Sequence, residues 1–167
     1  HLPVQSGSTR LLQLMNRTYT REWYISKVDR IREIIPDCGL STDTISGFCT
    51  ETEEDHQETL SLFDYCKYDL AYMYYYSERP GTLAARRFED DVPLEVKKSR
   101  LSEVIEKNRK YSLLSMQKEV GRTLRVLVEA NSRKDKNQWA GRCDSNKMVV
   151  FEKDGIIQKG DYADVLI

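Results

Sequence analysis

The sequence has no C-x-x-C or C-x-x-x-C-x-x-C spacing: Cys38, Cys49, Cys66 and Cys143 stand far apart. Zinc and iron–sulfur sites are built on closely spaced thiolates, so a metal site made by this segment alone is not expected. Scattered cysteines suit reduced thiols in a cytosol better than a disulfide framework. No apolar run approaches the ~20 residues that a membrane span requires. The expectation is a cytoplasmic, monomeric protein with no membrane partner. A formal net charge of −1 removes any global pull toward nucleic acid. Neither an initiator Met nor a signal peptide is visible. Because the chain opens at His1 in a strand-like run and stops in an apolar one, it reads as a piece of a longer protein.

What is present is 167 residues, 40% hydrophobic and 32% charged, the composition of an ordinary globular domain with room for a small second one. Charge is uneven. Residues 1–120 hold 17 Lys and Arg against 20 Asp and Glu, whereas residues 121–167 hold 9 against 7. An anionic partner is therefore expected of the C-terminal part.

The organising stretch is Ser41 to Asp55. Its β-branched start predicts a strand, Gly47 a break, and Thr52 with Asp55 a capped helix. Strand, turn and helix N-terminus make the junction at which α/β proteins hold ligands. Around it, His1–Gln5 reads as a strand and Ser8 as the cap of a brief helix. Thr20 caps a helix with Tyr24, Val28, Ile31 and Ile35 at helical spacing. Tyr68–Tyr76 reads as a strand buried on both faces, and Ser77–Thr82 as a turn. Three parallel strands with helical crossovers predict the second half of a TIM-like partial (β/α) barrel. The loop ends at Gln5–Ser8, Gly47–Glu51 and Tyr76–Thr82 should share one rim.

A boundary is expected at Asp90–Pro93, then a helix over 94–118 with Leu101, Val104, Ile105 and Leu113 on its apolar side. After Gly121 the period changes to short strands and glycine turns, as in a small all-β barrel. The expected divisions are 1–92, 93–120 and 121–167.

Three segments carry a specific resemblance. His1-Leu-Pro-Val-Gln-Ser-Gly-Ser8, Ile45 to His56 and Tyr76-Ser-Glu-Arg-Pro-Gly-Thr82 resemble consecutive signatures of the radical S-adenosylmethionine methylthiotransferases. Val126–Glu129, Gly141-Arg142 and Asn146-Lys147 resemble the TRAM domain, an OB-like barrel, that ends those enzymes. With Cys49-Thr50 where other branches have Pro-Gly, the wording is most similar to the bacterial branch acting on isopentenyl-adenosine beside the tRNA anticodon. The resemblance implies S-adenosylmethionine, two [4Fe–4S] clusters, and the anticodon stem-loop of tRNA as partner. The cluster-binding cysteines of the family are absent from this chain, so it is expected to be inactive alone. The rivals are a sister enzyme acting on a small-subunit ribosomal protein and a non-catalytic RNA-binding module.

By resemblance, Gln5 and Ser6 fall near the cofactor ribose and Gly47 lets the strand turn close to the nucleoside; a serine-capped turn is the plainer reading. Asp43 is costly in a buried strand unless it serves a site or meets a helix N–H or an Arg. Arg79 suits an anionic group, a cofactor carboxylate or a tRNA phosphate, with a salt bridge to Glu78 as rival. Glu51 reads as a solvated turn residue, Glu53 to Asp55 as helix-capping acids, and Cys49 as a small turn residue. In the β domain, Arg133, Lys134, Lys136, Arg142 and Lys147 with Trp139 form a basic set with one aromatic, suited to phosphate contact and base stacking.

Overall fold

In the computed structural model, which describes residues 1–167, Ser41–Ser46 forms strand β1. Thr42, Thr44 and Ser46 are buried while Ser41, Asp43 and Ile45 are half-buried, the alternation of a strand packed on one face. Strand β2 (Leu70–Tyr75) pairs with it in parallel, from Ser41 opposite Leu70 to Ser46 opposite Tyr75. Helix α3 (Glu53–Cys66) is the crossover between them.

On the other side of β1, the strand expected at His1–Gln5 is only partly formed. Leu2 and Gln5 donate backbone bonds to Ser41 and Asp43, and Ile45 donates to Gln5, but the only bridge is Gln5 to Thr44. Pro3 has no N–H to offer. The Thr42 hydroxyl steps into the ladder instead, accepting from Val4 N at 3.1 Å and donating to Leu2 O at 2.9 Å.

Three helices start as the sequence indicates. Ser8 caps α1 (Thr9–Leu14), Thr20 caps α2 (Arg21–Ile34), and Thr52 with Asp55 forms the full capping box of α3. Asp55 does more than cap. It accepts from Ser8 Oγ at 2.6 Å and pairs with Arg10. Burial pushes its carboxyl up, yet the bonds from Arg10, Ser8 and Thr52 outweigh that and hold it well below the usual carboxylate range. A depressed acid contributes stability that is present at neutral pH and lost as pH falls through the folded value. Thermal stability should therefore fall as the pH drops below about 3.9, the ordinary Asp value. Asp55→Asn should lower stability at pH 7 and flatten that acid limb; an unchanged limb would refute the assignment.

The main core lies between one sheet face and the helices, with Val4, Tyr24, Val28, Leu62, Phe63 and Tyr68 essentially inaccessible. Each such side chain contributes about 1.5–3 kcal/mol of burial. The two tyrosine hydroxyls are satisfied, Tyr68 donating to Tyr24 at 3.0 Å and Tyr24 to Leu2 O at 2.7 Å.

Strand β2 is not buried on both faces as expected. Ala71 is buried, but Leu70, Tyr72 and Tyr74 are 41–59% exposed. The helices cover the Ala71 face alone, and β2 pairs on one side only. A five-residue helix, α4 (Leu83–Arg87), follows from a Thr82 cap; it is too short to show periodicity in the sequence.

Helix α5 (Leu94–Gln117) buries Val104 and half-buries Leu101 and Ile105 as expected, but its inward face also takes in polar residues. Lys97, Arg100, Val104 and Asn108 are its buried residues, while Leu113 is 57% exposed. The surface it meets is polar: Lys97 donates to Tyr76 O, Arg100 to Glu51 O and Asn108 to Tyr68 O.

The chain divides into two compact units, His1–Ser112 and Leu113–Ile167. The second is a curled antiparallel sheet of β3 (Thr123–Asn131), β4 (Gln138–Cys143), β5 (Met148–Glu152) and β6 (Tyr162–Leu166), in the order β5-β4-β3-β6. A bulge between Val128 and Ala130 bends β3, and the concave side packs Val126, Cys143 and Val149 with Leu124, Phe151 and Val165. No helix is long and apolar enough to cross a membrane.

Candidate functional site

The loop ends meet where the sequence places them. Gln5, Phe48 and Thr82 line one cavity of about 320 Å³, together with Met15 and Arg17. A neighbouring cavity of about 570 Å³ is lined by Tyr74, Tyr75, Tyr76 and Arg79, and the two share Ile45, Thr82 and Ala84. Gln5 holds a left-handed backbone, φ 73°, unusual for a residue with a side chain. Arg79 is exposed and its guanidinium forms no ion pair, so the expected rival, a bridge to Glu78, is not formed. Gln5 and Arg79 thus line neighbouring cavities that share Ile45.

The remaining rim residues are placed differently. Ser6 is fully buried, its hydroxyl accepting from Ser8 N at 3.1 Å and lying 3.4 Å from Thr59 Oγ1. Its polar group is spent on holding the turn, which removes it as a direct ligand. Gly47 turns at φ +71°, and a Cβ there would lie 2.3 Å from Lys97 Cγ. That glycine makes room for a helix of the protein itself. Asp43 lies on the uncovered sheet face, half-exposed, 3.4 Å from His1 Nε2, with His1 Nδ1 2.9 Å from Ser41 Oγ. Its partner is an imidazole and neither a helix N–H nor an Arg. Cys49 is buried and burial pushes its thiol up, the reverse of what a thiolate ligand needs. No group of three or more His, Cys, Asp or Glu converges to hold a metal ion.

In the second unit the basic set separates. Arg133, Lys134 and Lys136 stand exposed and without ion pairs on the β3–β4 connection. Arg142 pairs with Glu129 at 2.8 Å. Lys147 is committed elsewhere, to Glu119 Oε1 at 2.5 Å and Ser115 O at 3.3 Å, and only 14% of its side chain is exposed. It is not available for phosphate. Trp139 is half-buried and lies under Lys153 Nζ, 4.2 Å from the ring centroid, so the cation occupies the face a base would take.

Two segments of the chain match known families. Residues 1–63 match the radical SAM superfamily, and residues 117–167 match the TRAM domain. The first segment is thus similar to the radical SAM superfamily and the last to the TRAM domain. It is 58% identical, over its whole length, to a tRNA-2-methylthio-N(6)-dimethylallyladenosine synthase of Amoebophilus asiaticus and spans 34% of that protein. It is 56% identical to the protein of the same name from Phocaeicola vulgatus and 52% identical to that from Chloroherpeton thalassium, again over the whole chain, spanning 36% and 37% of them. The chain therefore spans about a third of the length of the curated relatives it matches.

One part of the radical SAM segment escapes sequence reasoning. Glu51 is buried: its Oε1 accepts from Gly47 N at 2.9 Å and from Arg100 at 3.1 Å. Burial pushes its carboxyl up; Gly47 N–H and Arg100 pull against that. Lys97, also buried, pairs with Asp90 and reaches Tyr76 O at 3.4 Å. Two cations one helical turn apart on α5 thus hold the ends of both β1 and β2, from a part of the chain that neither family match covers. The only signal was polar residues at 97, 100 and 108 in phase with Val104, a spacing that ordinarily describes a solvated face.

Proposed function

We propose that this chain is the part of a tRNA methylthiotransferase that frames S-adenosylmethionine at the barrel rim and holds the anticodon stem-loop through its TRAM domain. The observation that carries this is identity of 52–58% across the whole chain, radical SAM and TRAM segments alike, to synthases named for 2-methylthio-dimethylallyladenosine in tRNA. The modification itself belongs to the longer protein.

The residues present suit the cofactor's organic part. The amide of Gln5 can bond to vicinal ribose hydroxyls, Arg79 can pair with a carboxylate, and the apolar wall of Ile45, Met73 and Tyr74 keeps water from the reacting atoms. They do not suit the two [4Fe–4S] clusters that the family uses: the cysteines stay apart, so cluster ligands must come from elsewhere in the longer protein. When bound to its cluster, S-adenosylmethionine supplies the methyl group and the radical chemistry. The chain's own share is to orient and to exclude water.

In the TRAM domain Arg133, Lys134 and Lys136 are the residues left to meet phosphate. A mobility shift of this chain with an unmodified anticodon stem-loop should show binding that weakens steeply with salt. Arg133→Gln, Lys134→Gln and Lys136→Gln together should reduce the log–log salt slope by about 2. Absent or salt-insensitive binding would overturn the reading.

A further inference from the structure

We infer that the mouth of the radical SAM segment carries its own nucleic-acid contact, in which Arg17, Arg86 and Arg87 hold the phosphate backbone of an RNA loop. The inference rests on the RNA-modifying reading and extends it to a surface that lies outside the TRAM domain.

The observation is a set of uncompensated arginines around one opening. Arg17 lines the smaller cavity beside Leu83 and Ala84. Arg86 and Arg87 follow on the same short helix, α4, whose first residues wall both cavities. All three are exposed and none forms an ion pair; Arg86 makes a single bond, to Gly81 O at 3.0 Å. Other arginines of this unit are engaged: Arg10, Arg30 and Arg100 each meet a carboxylate, and Arg21 and Arg32 donate to backbone carbonyls.

The acids nearby do not cancel the charge. Asp90 is taken by Lys97, whereas Asp91, bonded only to Thr50 N at 2.7 Å, keeps its charge. Glu78, Glu89 and Asp91 stand against Arg17, Arg79, Arg86 and Arg87, three acids to four arginines, which leaves a single positive charge in excess. Beside it Tyr74 and Tyr75 are 59% and 42% exposed. Fixed cations next to exposed aromatic rings suit an unpaired nucleotide strand, which presents phosphates and flat bases together. A base entering the cavity would leave its flanking phosphates at these guanidiniums.

The test uses the whole chain. Arg17→Gln, Arg86→Gln and Arg87→Gln combined should weaken binding of an anticodon stem-loop at least tenfold at low salt and reduce the salt slope by about 2. The loss should add to that of the TRAM-loop variant. Unchanged affinity and slope, with the TRAM-loop variant still impaired, would overturn this surface and leave the proposed function standing. No binding by the unsubstituted chain would overturn both. Retained RNA binding with loss of binding to poly-glutamate would assign the arginines to an acidic protein and equally refute the inference.

Discussion

Replacing Arg100 with methionine is expected to lower the unfolding free energy of the His1–Ser112 unit by about 3–5 kcal/mol, the cost of leaving one member of a buried ion pair alone. Glu51 would keep its bond from Gly47 N but lose its ion-pair partner, while its side chain is 2% exposed. The pH dependence separates this cause from lost packing. Burial already pushes the Glu51 carboxyl up, and without the guanidinium it must rise further. A group raised in the folded state contributes stability that is present at low pH and lost as pH rises through the folded value. The deficit of Arg100→Met should therefore shrink between pH 8 and pH 5 in urea unfolding. Glu51→Gln in the same chain should recover part of it, because both charges are then gone. A deficit independent of pH and unaltered by Glu51→Gln would show that the pair is not what matters.

Gly141→Ala should cost the TRAM domain about 3 kcal/mol, the upper end of overpacking penalties. An added Cβ would lie 2.2 Å from Leu127 O and 2.7 Å from Val126 Cγ1, atoms of the neighbouring strand. Backbone in a paired strand cannot step aside as a flexible side chain can. Gly141 sits between Val128 on β3 and Val149 on β5, so the strain would spread to both ladders. Followed by Trp139 fluorescence in a Trp23→Phe background, the melting temperature should fall by about 10 °C or more. A shift under about 2 °C would mean that β3 yields more readily than its pairing implies.

The legible part of this protein was local. Caps at Ser8, Thr20 and Thr52 are written in side chains that bond three residues ahead, and the rim that joins Gln5, Phe48 and Thr82 follows from where strands must end. The family was legible too, from the wording of three short segments. What stayed hidden depends on partners far along the chain. Whether Glu51 meets water or Arg100, or Lys147 meets phosphate or Glu119, cannot be read from residues on either side of them. The polar part of the inward face of α5 is hidden for the same reason: Lys97, Arg100 and Asn108 are buried beside Val104 only because the surface awaiting them is polar. Burial of β2 was overestimated because an aromatic run says nothing about how many faces have a cover.

That strand has one more consequence. The outer edge of β2 has no neighbouring strand, and Tyr72 and Tyr74 stand exposed along it. Such an edge is a template for another extended chain. Neither Lys nor Pro interrupts Leu70 to Tyr75, so the strand has none of the residues that usually guard an open edge against intermolecular pairing.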